Sequence, residues 1–157
     1  MHKRTRSLKN RLGEQGSTMV EFALVLVGFL TLLFGLLDFG RALYVYNYVS
    51  YAARDGVRYA MVRGASCTTF TTDCPTKLDG SGVTNYLETT VLPPGINPSA
   101  LTVTTTWPGG NPGCTGAPNN PGCVVKVNVQ YNFSFIIPFI PKITSLMTST
   151  SQMVISQ

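Results

Sequence analysis

The chain is expected to fold as an α+β protein in which one long N-terminal helix covers a small antiparallel sheet. Three observations predict it. An apolar run over Met19–Leu37 passes into an amphipathic stretch that reaches Arg63 without a proline. After Cys67 the composition shifts to Thr, Ser, Asn, Gly and Pro. Within that second part Val125, Val127, Val129, Tyr131, Phe133 and Phe135 alternate with polar residues, the period of a half-buried strand. A chain of 157 residues holds one domain plus an anchor, not two sizeable cores.

The charge is uneven. Lys3, Arg4, Arg6, Lys9 and Arg11 oppose only Glu14 within residues 1–16, so four of the five net positive charges lie there. The remainder has no basic face, which argues against nucleic-acid binding. Cations in front of an apolar run mark the end of a span that stays cytoplasmic. The run itself, MVEFALVLVGFLTLLFGLL, contains one charge, Glu21. As a helix it rises roughly 28 Å, the hydrocarbon thickness of a bilayer.

Glu21 is the anomaly. A carboxylate near the start of a span costs about 1–3 kcal/mol, depending on depth. Either it reaches the headgroups and has no further role, or it finds a positive partner. Gly16 stands five residues ahead of it, at the end of the cationic stretch. A secretory signal peptide would need an A-x-A-like site after the apolar core. The residues there, FGLLDFGRALYVYN, offer no good match, and the run is longer than a usual signal core. An uncleaved anchor is the other alternative.

Helical patterning continues from Asp38 to Arg63, with apolar residues from Leu43 to Met61 at spacings of mostly three and four. Asp38 with Arg41, and Asp55 with Arg58, sit three apart, where opposite charges meet on a helix. Gly64 is the expected stop. One helix over residues 17–63 would be about 70 Å long, too long for a globule of this size; a break near Gly40 is the alternative. Tyr44, Tyr46, Tyr48 and Tyr51 follow the span and read as interfacial anchors or packing groups rather than a ligand site.

The strings GEQGSTMVEFALVLV and LLFGLLDFGRALYVYNYVSYAARDGVRYAMVRG resemble the TadE-like family, minor pilins or pseudopilins of the tight-adherence (Tad) type IV pilus. The likeness is dense over residues 11–65 and only architectural beyond. It implies a pilin-like fold and a leader, residues 1–16, removed by prepilin peptidase after Gly16. Ser17 then becomes the new N-terminus. It also implies that Glu21 acts in assembly by meeting the free amino group of a neighbouring subunit, with Phe22 beside it. Asp38, Arg41, Arg54, Asp55 and Arg58 fall in the family's helix blocks, with roles less clear. Ser17 stands where many type IV pilins carry a methylated aromatic residue, and Phe22 where major Flp-type pilins tend to carry Tyr, which points to the minor-pilin branch. The implied partners are prepilin peptidase, a major Flp-type pilin, a sibling minor pilin and the inner-membrane assembly platform. The implied location is the inner membrane, single-pass, with the head exported and available to the extracellular pilus.

The head, residues 64–157, should begin with a short helix bearing Val83, Tyr86, Leu87 and Val91, capped by Asp79 or Ser81 and stopped by Pro93-Pro94. Leu101, Val103, Thr105 and Trp107 alternate as one strand, Val125–Phe135 as a second, and Thr148–Ile155 as a weaker third. Between the first two lies WPGGNPGCTGAPNNPGC, too rich in turn formers for regular structure. Four cysteines in an exported segment favour disulfides. Of three connectivities, Cys67–Cys74 and Cys114–Cys123 close the shortest loops. Zinc is the competing reading, unsupported by any C-x-x-C spacing or nearby His. No nucleophile, metal or phosphate-loop motif appears, and neither cofactor nor enzymatic activity is expected. The rival to a pilin is a membrane-anchored surface or adhesion domain that never polymerises, with residues 107–123 as its first candidate binding loop.

Overall fold

The computed structural model describes residues 4–63, 80–136 and 144–156. Helix α1 spans Arg4–Arg63. It is unbroken at Gly40 and starts well before residue 17. The stretch ahead of Ser17 lacks proline and is rich in Arg, Lys, Leu, Glu and Gln, whose helix propensity outweighs Gly13 and Gly16. The chain divides into two units: Met1–Gly40 with Ile136–Pro141, and Arg41–Phe135 with Lys142–Gln157.

In the second unit, α2 (Ser81–Tyr86) runs into a π-helical turn over Leu87–Val91. A 3-10 turn at Pro98–Ala100, capped by the Asn97 side chain accepting from the Ser99 amide, leads into the sheet. Strands β1 (Leu101–Gly109), β2 (Val124–Ser134) and β3 (Thr144–Val154) form an antiparallel meander in the order β1-β2-β3. Val103 pairs with Val129, and Val129 in turn with Ser149. The β1–β2 ladder slips between Thr106 and Gly109, where Pro108 has no amide to offer.

The core forms where the C-terminal half of α1 meets the inner face of the sheet. Ala52, Ala53, Val57 and Ala60 are fully buried, as are Val125, Val127 and Val129 on β2. Gly56 sits at the closest approach. A Cβ there would lie 3.1 Å from Leu87 Cδ1 and 3.3 Å from both Val127 and Val83 methyl carbons. The outer face of the sheet is polar, with Asn128 Nδ2 donating to the hydroxyls of Thr150 (2.7 Å) and Thr148 (3.2 Å).

One expectation is corrected. Ser81 is the first residue of α2 and not its cap, and Asp79 lies outside the described residues; the cap position is Gly80, in the left-handed region at φ 72°. A Cβ there would meet Thr105 Cβ at 2.6 Å, so both backbone sign and space select glycine.

Substitution at Gly56 probes the seam. Gly56→Ala exchanges gained helix propensity for mild crowding and should stay within about 1 kcal/mol of the parent. Gly56→Val should cost about 2–3 kcal/mol, because a branched side chain cannot be seated without moving Leu87 or Val127. Thermal unfolding in detergent followed by circular dichroism reads both; an unchanged Val variant would show slack in the seam.

Candidate membrane and assembly helix

The first unit contains the residues that the sequence singles out for processing and assembly. Gly16–Val62 is, among the described residues, the helix long and apolar enough to cross a membrane. Its apolar side chains are exposed: Met19, Phe22, Leu24, Phe29, Leu32 and Leu36 each show well over half their surface. Such a contiguous apolar surface is stable only in lipid or against other helices. Thr31 satisfies its hydroxyl within the helix, donating to the Val27 carbonyl at 2.8 Å.

Gly16, Ser17 and Glu21 are all exposed. Nothing lies within 4 Å of a Cβ built on Gly16, so the fold itself places no demand for glycine there. Ser17 and Glu21 are four residues apart and share one helix face. Phe22 points about a quarter-turn away from Glu21 and is 67% exposed.

At the end of the apolar run Asp38 is buried, 5% exposed, and its Oδ2 accepts a 2.7 Å hydrogen bond from the Ile136 backbone N–H. No sequence signal links a helix carboxylate to an amide 98 residues away. In the second unit the Arg41 guanidinium sits 5.4 Å from the centroid of the Phe133 ring. Asp55 hydrogen-bonds to the Tyr86 hydroxyl at 3.0 Å, and Tyr86 stacks on Tyr59 with centroids 4.1 Å apart. The hydroxyl therefore ties α1 to α2, where spacing alone suggested Arg58 as the partner of Asp55. Arg54 and Arg58 are exposed.

The tyrosines divide by environment. Tyr48 enters the core, whereas Tyr46 and Tyr51 are exposed and Tyr44 donates a long 3.5 Å bond to the Pro94 carbonyl. The loop after β1 is closed by a Cys114–Cys123 disulfide. Asn111 Nδ2 donating to the Gly122 carbonyl and Asn120 Nδ2 to the Thr115 carbonyl brace it from within. Paired bonds from the Gly122 amide to the Ile155 carbonyl, and from the Ile155 amide to the Cys123 carbonyl, fasten it to the end of β3. The expected Cys67–Cys74 bridge lies outside the described residues.

Among the described residues these features define a class: one apolar helix long enough to anchor in a membrane, and a small α+β head. Residues 16–58 match the TadE-like protein family, so the resemblance read from the sequence holds across the apolar run and the helix blocks behind it. The match lies wholly on α1 and does not extend into the head. No curated protein and no solved structure matches the chain.

The tie between α1 and α2 has a pH signature. The hydrogen bond to Asp55, followed by burial, raises the Tyr86 pKa above the ordinary phenol value. Its contribution is complete below the unfolded pKa of about 10 and disappears as pH rises through the higher folded value. Tyr86→Phe keeps the ring stack and should cost about 0.5–1 kcal/mol at pH 7. The gap from the parent should close at strongly alkaline pH; denaturant midpoints at both pH values test this, and a pH-independent gap would deny the bond its role.

Proposed function

We propose that this chain is a minor pilin or pseudopilin of a Tad-type type IV pilus, cut by prepilin peptidase after Gly16 and contributing to pilus assembly and adhesion. The observation that carries the reading is the exposed apolar helix with one acid, Glu21, set one turn beyond Ser17. Cutting at Gly16 creates an ammonium group at Ser17. A carboxylate held in lipid is stabilised by such a partner. An ammonium on an adjacent subunit neutralises Glu21 and fixes the axial step between the two helices. The uncut chain offers no amino terminus at that depth.

The match to the TadE-like family takes in Gly16, Ser17, Glu21 and Phe22. On this reading the chain sits in the inner membrane with residues 1–16 cytoplasmic and the head exported, from where it enters the pilus. Its partners are prepilin peptidase, the inner-membrane platform, a major Flp-type pilin and a sibling minor pilin. The braced loop around Cys114–Cys123 suits a surface exposed outside the cell, where disulfides persist.

N-terminal sequencing of membrane-purified protein should begin at Ser17. Gly16→Val should accumulate full-length precursor. Since a side chain at Gly16 meets nothing in the fold, such a block locates the demand for glycine in the peptidase. Glu21→Ala should be cut normally yet be lost from sheared filaments by about tenfold or more, the cost of removing one buried charge partner. A full-length N-terminus in cells containing the peptidase would leave a non-polymerising anchored domain as the correct reading. Normal incorporation of Glu21→Ala would remove the charge pairing.

A further inference from the structure

The first compact unit joins two stretches far apart in sequence, Met1–Gly40 and Ile136–Pro141. The second stretch belongs to the connection between β2 and β3, whose ladder closes at the Ser134–Thr144 pair. That connection reads FIIPFIPKI, with two prolines and one cation, Lys142, among Ile and Phe. A connection that faces water is ordinarily built from polar turn formers, as the one between β1 and β2 is. Here the composition is that of the apolar run in α1.

Ile136 fixes where the stretch begins. Its amide donates to Asp38 Oδ2 at 2.7 Å, and Asp38 is the residue directly after the Met19–Leu37 run. Its side chain is left 68% exposed, as open as those of Leu36 and Phe39 in the same unit. Exposed apolar surface is therefore widened where the apolar run ends.

We propose that the β2–β3 connection, entered through Ile136, is a second membrane contact that seats in the bilayer interface beside α1, with lipid acyl chains as its occupant. Continuity with the span selects lipid, since the bond to Asp38 holds Ile136 at the level where the helix leaves the hydrocarbon. Irregular backbone exposed to lipid is penalised through its unpaired amides. This stretch carries few of them. Pro138 and Pro141 have no N–H, and the Ile136 amide is taken by Asp38. The remaining amides keep the contact shallow, where water and headgroups satisfy them. Lys142 follows in sequence, and a lysine stem reaches from apolar surroundings to a lipid phosphate. The inference rests on α1 spanning a membrane and does not depend on a cut after Gly16.

Fluorescence quenching by brominated lipids tests the contact. Trp107 is the only tryptophan, and among the described residues its ring N–H has no hydrogen-bond partner, so Trp107→Phe loses no bond. In that background one tryptophan is introduced into the full chain by Ile136→Trp, by Leu32→Trp in the span, or by Thr104→Trp. Thr104 is exposed on β1 and pairs with Asn128. Each protein is reconstituted in phosphatidylcholine–phosphatidylglycerol vesicles brominated near the headgroup end or near the methyl end of the acyl chain. Ile136→Trp should lose most of its fluorescence to the shallow bromines and little to the deep ones. Leu32→Trp, about 9 Å further along the helix from Asp38, should respond to the deep bromines as well. Thr104→Trp should keep its intensity. Quenching at Leu32 without quenching at Ile136 overturns the second contact and leaves the anchor standing. No quenching at Leu32 removes the span itself, and the inference with it. Benzoylphenylalanine placed at Ile136 identifies the occupant: on irradiation it should cross-link to phospholipid, and cross-linking to a second copy of the chain instead overturns lipid as the occupant.

Discussion

A three-stranded sheet has one apolar face and cannot hide it alone. In this chain the cover is the small-residue side of α1. Ala52, Ala53 and Ala60 are fully buried, and Gly56 admits Leu87, Val83 and Val127 to within 3.1–3.3 Å of the place where a Cβ would stand. Other features depend on that seam. With so little side chain on the helix, β2 can fill the gap with Val125, Val127 and Val129 instead of aromatic bulk. The short α2 can lie close enough for Tyr86 to reach both Asp55 and the Tyr59 ring. Gly80 then turns the chain into α2 through a left-handed conformation against Thr105, at a distance no side chain would tolerate.

The same helix meets the opposite condition nearer its N-terminus. Between Met19 and Leu37 the side chains are large and uncovered, where those between Ala52 and Ala60 are mostly small and covered. One element therefore serves two surroundings, and residue size records which is which. Large apolar groups fill lipid or the grooves of neighbouring helices, while small ones permit a sheet to close in. Asp38 comes directly after the apolar run, and its carboxylate is held by a backbone amide. A charge-assisted bond of that kind lets an acid be buried beside apolar residues without the penalty of an unsatisfied group.

Much of this was legible in the residues. Alternation along Val125–Phe133 has a strict period of two with large contrast, so β2 and its buried face were readable, and β1 and β3 followed with less contrast. The Cys114–Cys123 bridge was readable because, of three connectivities, nearby cysteines close a loop at the lower entropic cost. What escaped was set by backbone sign or by long-range contact. Gly80 replaced the expected Asp79 or Ser81 cap because closeness to Thr105, invisible in sequence, outweighs a side-chain acceptor. Spacing pointed to Arg58 as the partner of Asp55, but the carboxylate is engaged by Tyr86, from an element 31 residues away. Tyr48 looked like its neighbours among the tyrosines, yet only it points into the seam. In the uncut chain the helix runs from Arg4 straight through Gly16, whereas a start at Ser17 belongs to the cut chain that the family resemblance implies.

That continuity bears on Glu21. In the uncut chain the residue lies in the interior of a helix, several turns from its start, so no dipole end is near. No acidic residue occupies the first turn of α1 as it stands. Ending the helix at Ser17 changes the field at Glu21 without moving an atom of it. The amides of Thr18, Met19 and Val20 lose their partners, the Ser17 nitrogen becomes an ammonium, and the positive end of the dipole falls within a turn or so of the carboxylate. The acid that was a liability in mid-helix becomes the counter-charge of a new helix end. Two such ends side by side, stepped by one turn, bring the amine of one chain level with the acid of its neighbour. On the proposed reading, the cut acts as an electrostatic switch whose on-state is satisfied most completely between chains, and assembly follows from processing through the charge that processing creates.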